Sequence, residues 1–198
     1  MAAGNHRALK IIGIVVGAIV GIAVVAVLGL NIYMRTAFAP FFDRAESPFD
    51  IPGINTGFVP QDLDHVEADD SWLFSGYMAD HSPSPLYRRA ADGTVAKFYV
   101  SLPDGSAYDG HGSAITTNEQ YAYLACEEGY LVIPMDDLLF AEDGASVQAT
   151  EKVDVDLSPA FMNIEQGQLL LGNFYYPNDY ETPENHHITT PEIGRASL

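Results

Sequence analysis

Two hydrophobic regimes divide the chain. From Ile11 to Leu30, twenty consecutive residues are Ile, Val, Ala, Leu or Gly, with no charge among them. A helix of that length spans about 30 Å, the depth of a bilayer's hydrocarbon core. The run therefore predicts a single transmembrane helix. From Phe58 onward the pattern changes to short apolar runs of period two: Trp72 to Tyr77, Lys97 to Leu102, Tyr121 to Ala125, Tyr130 to Ile133, Val147 to Val155 and Gln168 to Leu171. Turn dipeptides separate them, at Asp92-Gly93, Asp104-Gly105, Glu128-Gly129, Asp143-Gly144 and Gln166-Gly167. Many short strands at close spacing predict an all-β, antiparallel region. One turn of helix is expected over Pro134 to Leu139. Between the regimes, Asn31 to Gly57 holds Pro40, Pro48, Pro52, Gly53 and Gly57. This predicts a stalk that breaks regular structure, with Tyr33, Phe41 and Phe42 suited to a membrane interface. The expected organisation is residues 1–10 as a cytoplasmic N-terminus, 11–30 as the transmembrane helix, 31–57 as the stalk, 58–191 as the extracytoplasmic β domain and 192–198 as a tail.

The β region carries an internal repeat. Leu63 to Gly76, Ala114 to Ala125 and Phe161 to Gly172 each form a strand, a polar turn and a second strand, the second beginning at Trp72, Tyr121 or Gln168, offsets of 49 and 47 residues. Repeats of about 40–50 residues built of four strands are the mark of propeller blades. The expected fold is thus a partial β-propeller of about three antiparallel blades, with a two-sheet sandwich as competitor. Propellers close with roughly four to eight blades, and only Glu192 to Leu198 follows Pro191. The expectation is of a C-terminally truncated propeller, or of copies that complete one another.

Three stretches, Phe58-Val-Pro-Gln-Asp-Leu-Asp64, Trp72-Leu-Phe-Ser-Gly-Tyr-Met78 and Tyr108-Asp-Gly-His-Gly-Ser-Ala-Ile115, resemble a group of membrane-anchored bacterial β-propeller-like proteins. Phe174-Tyr-Tyr-Pro and His187-Ile-Thr-Thr-Pro191 are similar to it as well, so the resemblance covers Phe58 to Pro191. It implies the anchored propeller architecture and brings no activity with it. More loosely, the chain is similar to six-bladed propellers of the lactonase and gluconolactonase type, an analogy of fold, and fold does not set function.

Charge narrows the partners. Residues 46–198 hold 26 acids against Arg88, Arg89, Lys97, Lys152 and Arg195, a net of −21. Such a surface repels phosphates, which argues against nucleic acid. The basic residues Arg7 and Lys10 precede the apolar run and Arg35 alone closely follows it, which favours the N-terminus inside and the β domain outside. Ala37-Phe38-Ala39 has the small-residue form of a cleavage site. It lies well past the apolar run and directly before Pro40, which favours a retained anchor in the bilayer over a removed signal peptide. Gly13, Gly17 and Gly21 share one helix face and suit close approach of a second helix, so self-association is a candidate beside generic membrane-helix glycine content.

No motif announces catalysis. Gly-x-Ser-x-Gly, the phosphate-binding glycine loops, His-Glu-x-x-His and the Asp-x-Asp-x-Asp-Gly calcium loop are all absent. No cofactor is expected. The most site-like spot is Asp109-Gly110-His111-Gly112, where two glycines permit close backbone approach. In a propeller, His111 and Asp64 (or His65) would face each other across a central channel. Asp64, Asp109 and His111 are therefore the candidate ligand-binding residues, against the alternative of a hydrogen-bonded loop. His186-His187 with Asp179, Glu181 and Glu184 has metal-binding residue types, but neighbouring strand residues point apart, and a solvated loop fits better. Asp136-Asp137 and Glu127-Glu128 suit turns and caps. Cys126, the single cysteine, lies in an alternating run and is expected to be a buried apolar residue. Two functions follow: a membrane-anchored extracytoplasmic binding module, or an incomplete metal-dependent hydrolase drawing on Asp64, His111 and Asn163 or Asn173.

Overall fold

The computed structural model describes residues 3–45, 48–155, 157–174 and 188–189, and it divides into two compact units, Met1–Phe49 and Asp50–Leu198.

The first unit is helical. α1 runs over Ala3–Ala37, and its stretch Leu9–Ala37 is long and apolar enough to cross a membrane, with none of it buried. It continues past Leu30, where the stalk was expected to begin. Asn31 to Ala37 contains neither Pro nor Gly, so nothing interrupts the backbone ladder until the segment around Pro40. There Pro40 opens a second short helix, α2 (Ala39–Phe42), at a position where the missing N–H costs nothing. The Arg35 guanidinium lies 5.9 Å from the centre of the Phe42 ring.

Among its described residues, the second unit is mostly strands, in three sheets. The first contains β1 (Phe58–Val66), β2 (Ser71–Met78), β3 (Pro85–Arg89) and β4 (Val95–Ser101), each antiparallel to the next, with β8 (Ser146–Gln148) added parallel to β4. The second runs β5 (Ile115–Thr117), β6 (Tyr121–Cys126), β7 (Gly129–Pro134) and β9 (Glu151–Asp154). The third joins β10 (Pro159–Glu165), β11 (Gln168–Asn173) and β12 (Ile188–Thr189). The strands of Trp72 and Gln168 thus lie in different sheets. Met135–Leu139 forms the expected helical turn, α3.

Alternation explains the stacking. Ala122, Leu124, Cys126, Leu131 and Ile133 enter one core with Leu73, Leu86, Phe98 and Val100 of the first sheet. Their neighbours Tyr123, Ala125 and Tyr130 enter a second core with Met162, Leu169 and Leu171 of the third. The middle sheet is covered on both faces, which is why β6 is apolar without a polar alternate. On the first sheet's other face, Phe58 packs edge-to-face on Tyr87, ring centres 4.9 Å apart. Gly53, at φ +74°, lies so close to the Tyr87 ring that any side chain there would collide with it. Part of the expected stalk is therefore packed onto the β unit.

Two features repeat between the first and third sheets. In each, a bulge follows a proline, after Pro60 and after Pro159. In each, a phenylalanine covers a cross-strand glycine, Phe58 over Gly76 and Phe161 over Gly172. The run Val147 to Val155, expected as one strand, is two. Ala149 donates its N–H to Ser101 at 2.8 Å and Thr150 donates to Val132 at 2.9 Å. The backbone leaves the first sheet and enters the second between adjacent residues.

Candidate functional site

The edge strands β1, β5 and β10, the first of each sheet, lie side by side, and the first seam is stitched by carboxylates. Side chains two apart on a strand share a face, so Asp62 and Asp64 both reach β5. The Asp62 Oδ2 accepts the Ile115 N–H at 3.0 Å. The Asp64 Oδ2 accepts the Thr117 N–H at 2.6 Å and its hydroxyl at 2.8 Å. These two backbone donors are on the edge of β5 that faces away from β6, so the carboxylates replace a neighbouring strand. Burial pushes the Asp62 carboxyl above its ordinary range, against the opposing N–H bonds from Ile115 and Leu63, and nearby Asp64 adds to the rise.

At the turn end of these strands is an open cavity of about 680 Å³. One wall is the β1–β2 turn, with Asp64, His65 and Glu67. Three contacts hold this turn. Arg88 Nη2 is 2.5 Å from Asp69 Oδ2, Asp69 Oδ1 accepts the Ser71 N–H at 3.2 Å, and His65 Nε2 is 2.8 Å from Asp70 Oδ1. Burial acts to raise the Asp69 pKa, but the bonds from Ser71 and Arg88 outweigh it and hold the carboxyl below its ordinary range. The second wall is the β5–β6 turn, with Thr117, Asn118 and Glu119. Here Asn118 Oδ1 accepts the N–H groups of Gln120 and Tyr121 at 2.8 and 2.7 Å, an Asx turn. Asn163 and Ile164 of β10 and the apolar side chains of Met135 and Leu139 complete the lining. Each of the three sheets contributes to this one cavity.

The Asp109-Gly110-His111-Gly112 loop is elsewhere. Gly112 N–H donates to the Tyr108 hydroxyl at 3.1 Å, Gly110 carbonyl accepts from the Ser84 hydroxyl, and Glu127 Oε1 accepts the His111 N–H at 3.3 Å. The His111 ring meets Tyr77 edge-to-face, centres 4.0 Å apart. Asp64 pairs with Leu73, four residues along β2 from Tyr77, or roughly 13 Å. The structure therefore does not bring His111 and Asp64 together across a channel as expected. The hairpin's length keeps them at opposite ends, and Asp64 is already engaged by Thr117. Asp109 and His111 are exposed on their own loop. Asn163 reaches the cavity; Asn173 is buried in β11, its Oδ1 without a hydrogen-bond partner among the described residues.

Among the described residues, no three His, Cys, Asp or Glu side chains gather around a point where one ion could sit. Asp179, Glu181, Glu184, His186 and His187 lie outside the described residues. Cys126 is buried, and burial pushes its thiol up to about 11, which suits a core residue rather than a nucleophile. Glu128 occupies a turn at φ +58°, and Asp136 and Asp137 sit in the first turn of α3.

Comparison with protein families, curated proteins and solved structures yields no match to this chain.

Sequence reasoning missed Glu67, Glu119, Thr117 and Arg88. The signal available was the Asp62-x-Asp64 spacing, two acids on one strand face, with a Thr-rich strand 53 residues downstream. Nothing local to Arg88 revealed that it pins a turn 19 residues away.

Proposed function

We propose that this chain is a single-pass membrane protein whose extracytoplasmic, propeller-like β domain binds a small ligand in the cavity lined by the β1–β2 turn, the β5–β6 turn and strand β10. The observation that carries this reading is the construction of that cavity. Its walls come from three successive sheets, and two of them are held by side-chain bonds before any ligand arrives. Preorganised walls reduce the ordering cost of binding. Lys10 and Arg35 bracket an uncharged run of 24 residues, about 36 Å as helix, and the Arg7 and Lys10 flank supports an inside N-terminus. Consecutive antiparallel sheets whose first strands adjoin in the order β1, β5, β10 support the propeller-like arrangement. A propeller hydrolase finds less support, because Asp64 and His111 are held apart.

The test is a thermal-shift screen of the full chain in detergent against a small-molecule library, run beside an Asn163→Trp variant. Asn163 is exposed in the cavity lining, so the indole occupies the space at little cost to folding. Compounds that raise the wild-type Tm and leave the variant unmoved support the reading. If every stabilising compound acts equally on both, the cavity is not the binding site.

A further inference from the structure

Hydrogen-bonding capacity around the cavity is one-sided. The donors of its walls are largely committed within the protein. The Thr117 hydroxyl donates to Asp64, the Asn118 amide N–H donates to the Tyr123 hydroxyl at 3.3 Å, and His65 Nε2 is taken by Asp70. The acceptors are not: the Glu67 and Glu119 carboxylates make no hydrogen bond or ion pair among the described residues. Asn163 is the one uncommitted side-chain amide among the described lining residues. No Lys or Arg among the described residues lines the cavity, whereas Leu139 and Ile164 give it an apolar side. A carboxylate or phosphate entering here would find few free side-chain donors and like charge. A ligand that donates and carries positive charge would find free acceptors on two walls.

The form of the cation follows from a second observation. The acids do not converge on a point where a metal ion could be held. Dispersed carboxylates around an apolar surface suit a charge carried on a carbon skeleton, whose body covers the leucine and isoleucine while its N–H groups reach the acids. We infer that the cavity selects a small aliphatic ammonium compound, with Glu67 and Glu119 as its charge partners and the half-buried Leu139 and Ile164 as the surface for its hydrocarbon. This inference rests on the cavity being the binding site, and its test separates the two.

The experiment is isothermal titration calorimetry on the full chain in nanodiscs of neutral phosphatidylcholine, which keeps amines from adsorbing to anionic lipid. The probes are pentylammonium, pentanol, pentanoate and calcium, each at neutral pH and low salt. Pentylammonium is expected to bind saturably, and the other three not. The E67Q/E119Q variant should weaken it about tenfold, as loss of two partly solvated charges allows. E142Q/E151Q removes the same charge from exposed positions outside the lining and should leave the affinity within about twofold. Equal weakening by both variants would show that only the diffuse field of the acidic surface is at work and would overturn the inference. So would absence of pentylammonium binding, or competition by calcium. Pentanol binding as tightly as pentylammonium, and lost in Asn163→Trp, would overturn the cationic class while leaving the cavity as the binding site.

Discussion

Replacing Asp64 by alanine removes both bonds that its Oδ2 accepts from Thr117, at 2.6 and 2.8 Å. A hydrogen bond to a charged acceptor contributes about 1.5–3 kcal/mol. The seam is only part-buried, so water replaces some of what is lost and the low end applies. The two bonds also share one oxygen and are not independent. Asp64→Ala is therefore expected to cost about 2 kcal/mol. For a unit of about 150 residues this lowers Tm by roughly 4–8 °C. Asp64→Asn keeps a neutral acceptor and should cost about half as much. Thr117→Val removes the hydroxyl alone and should cost about 1 kcal/mol in the wild type and nearly nothing once Asp64 is alanine. The coupling is then about 1 kcal/mol. Thermal and urea unfolding of the full chain in detergent, followed by circular dichroism at the β-sheet band, measures all four corners. A Tm change under about 1 °C for Asp64→Ala, or strict additivity with Thr117→Val, would refute the claim that this carboxylate joins the first and second sheets.

Other perturbations test separate parts of the structure. Gly76→Ala drives a methyl into the Val59 carbonyl as well as the Phe58 ring, and is expected to cost about 1–3 kcal/mol. At Gly172→Ala the nearest atoms a methyl meets belong to the half-exposed Phe161 ring, which can swing away, so this change should cost visibly less in the same unfolding assay. Cys126, with its thiol pushed up to about 11, should resist maleimide at pH 7.5 in the native protein and react fully in urea, as read by mass spectrometry. Arg88→Ala frees the β1–β2 turn, so amide exchange at Glu67 to Asp70 should quicken. Because the Asp69 carboxyl is held below its ordinary 3.8, its contribution is complete above that value and lost as pH falls through the lower folded one. Arg88→Ala should flatten this limb of the stability profile below about pH 4.

Much of the β unit was legible in the period-two runs and the Asp-Gly and Gln-Gly turns, because alternation and positive-φ turns are local constraints. Gly93, Gly105, Gly144 and Gly167 all adopt positive φ where turns were expected. Strand β3 escaped notice: Pro85-Leu-Tyr-Arg-Arg89 is short and ends in two arginines, and only its pairing with β2 and β4 defines it. The length of α1 was underestimated because a lower density of apolar residues after Leu30 resembles a stalk, although polar residues sustain a helix as well. The cavity was not legible at all. Its walls are brought together by tertiary packing of segments far apart in sequence, and its most useful clue, that most side-chain donors are taken while two carboxylates stay free, exists only once partners are known.

The crossing at Ala149 and Thr150 sets an order of events for a chain made from its N-terminus. The outer edge of β4 emerges complete at Ser101, yet the strand that covers it ends at Gln148. At ribosomal rates of roughly 5–20 residues per second, that edge waits several seconds for its partner. During that interval β4 is an open template for any extended segment nearby. Its eventual cover arrives on the same stretch of chain that completes the second sheet, so capping one sheet and finishing the other become a single kinetic event. Two modules drawn as consecutive repeats are thus expected to mature together, and a ribosome paused before residue 146 would present a first module already zipped internally but still adhesive along one side.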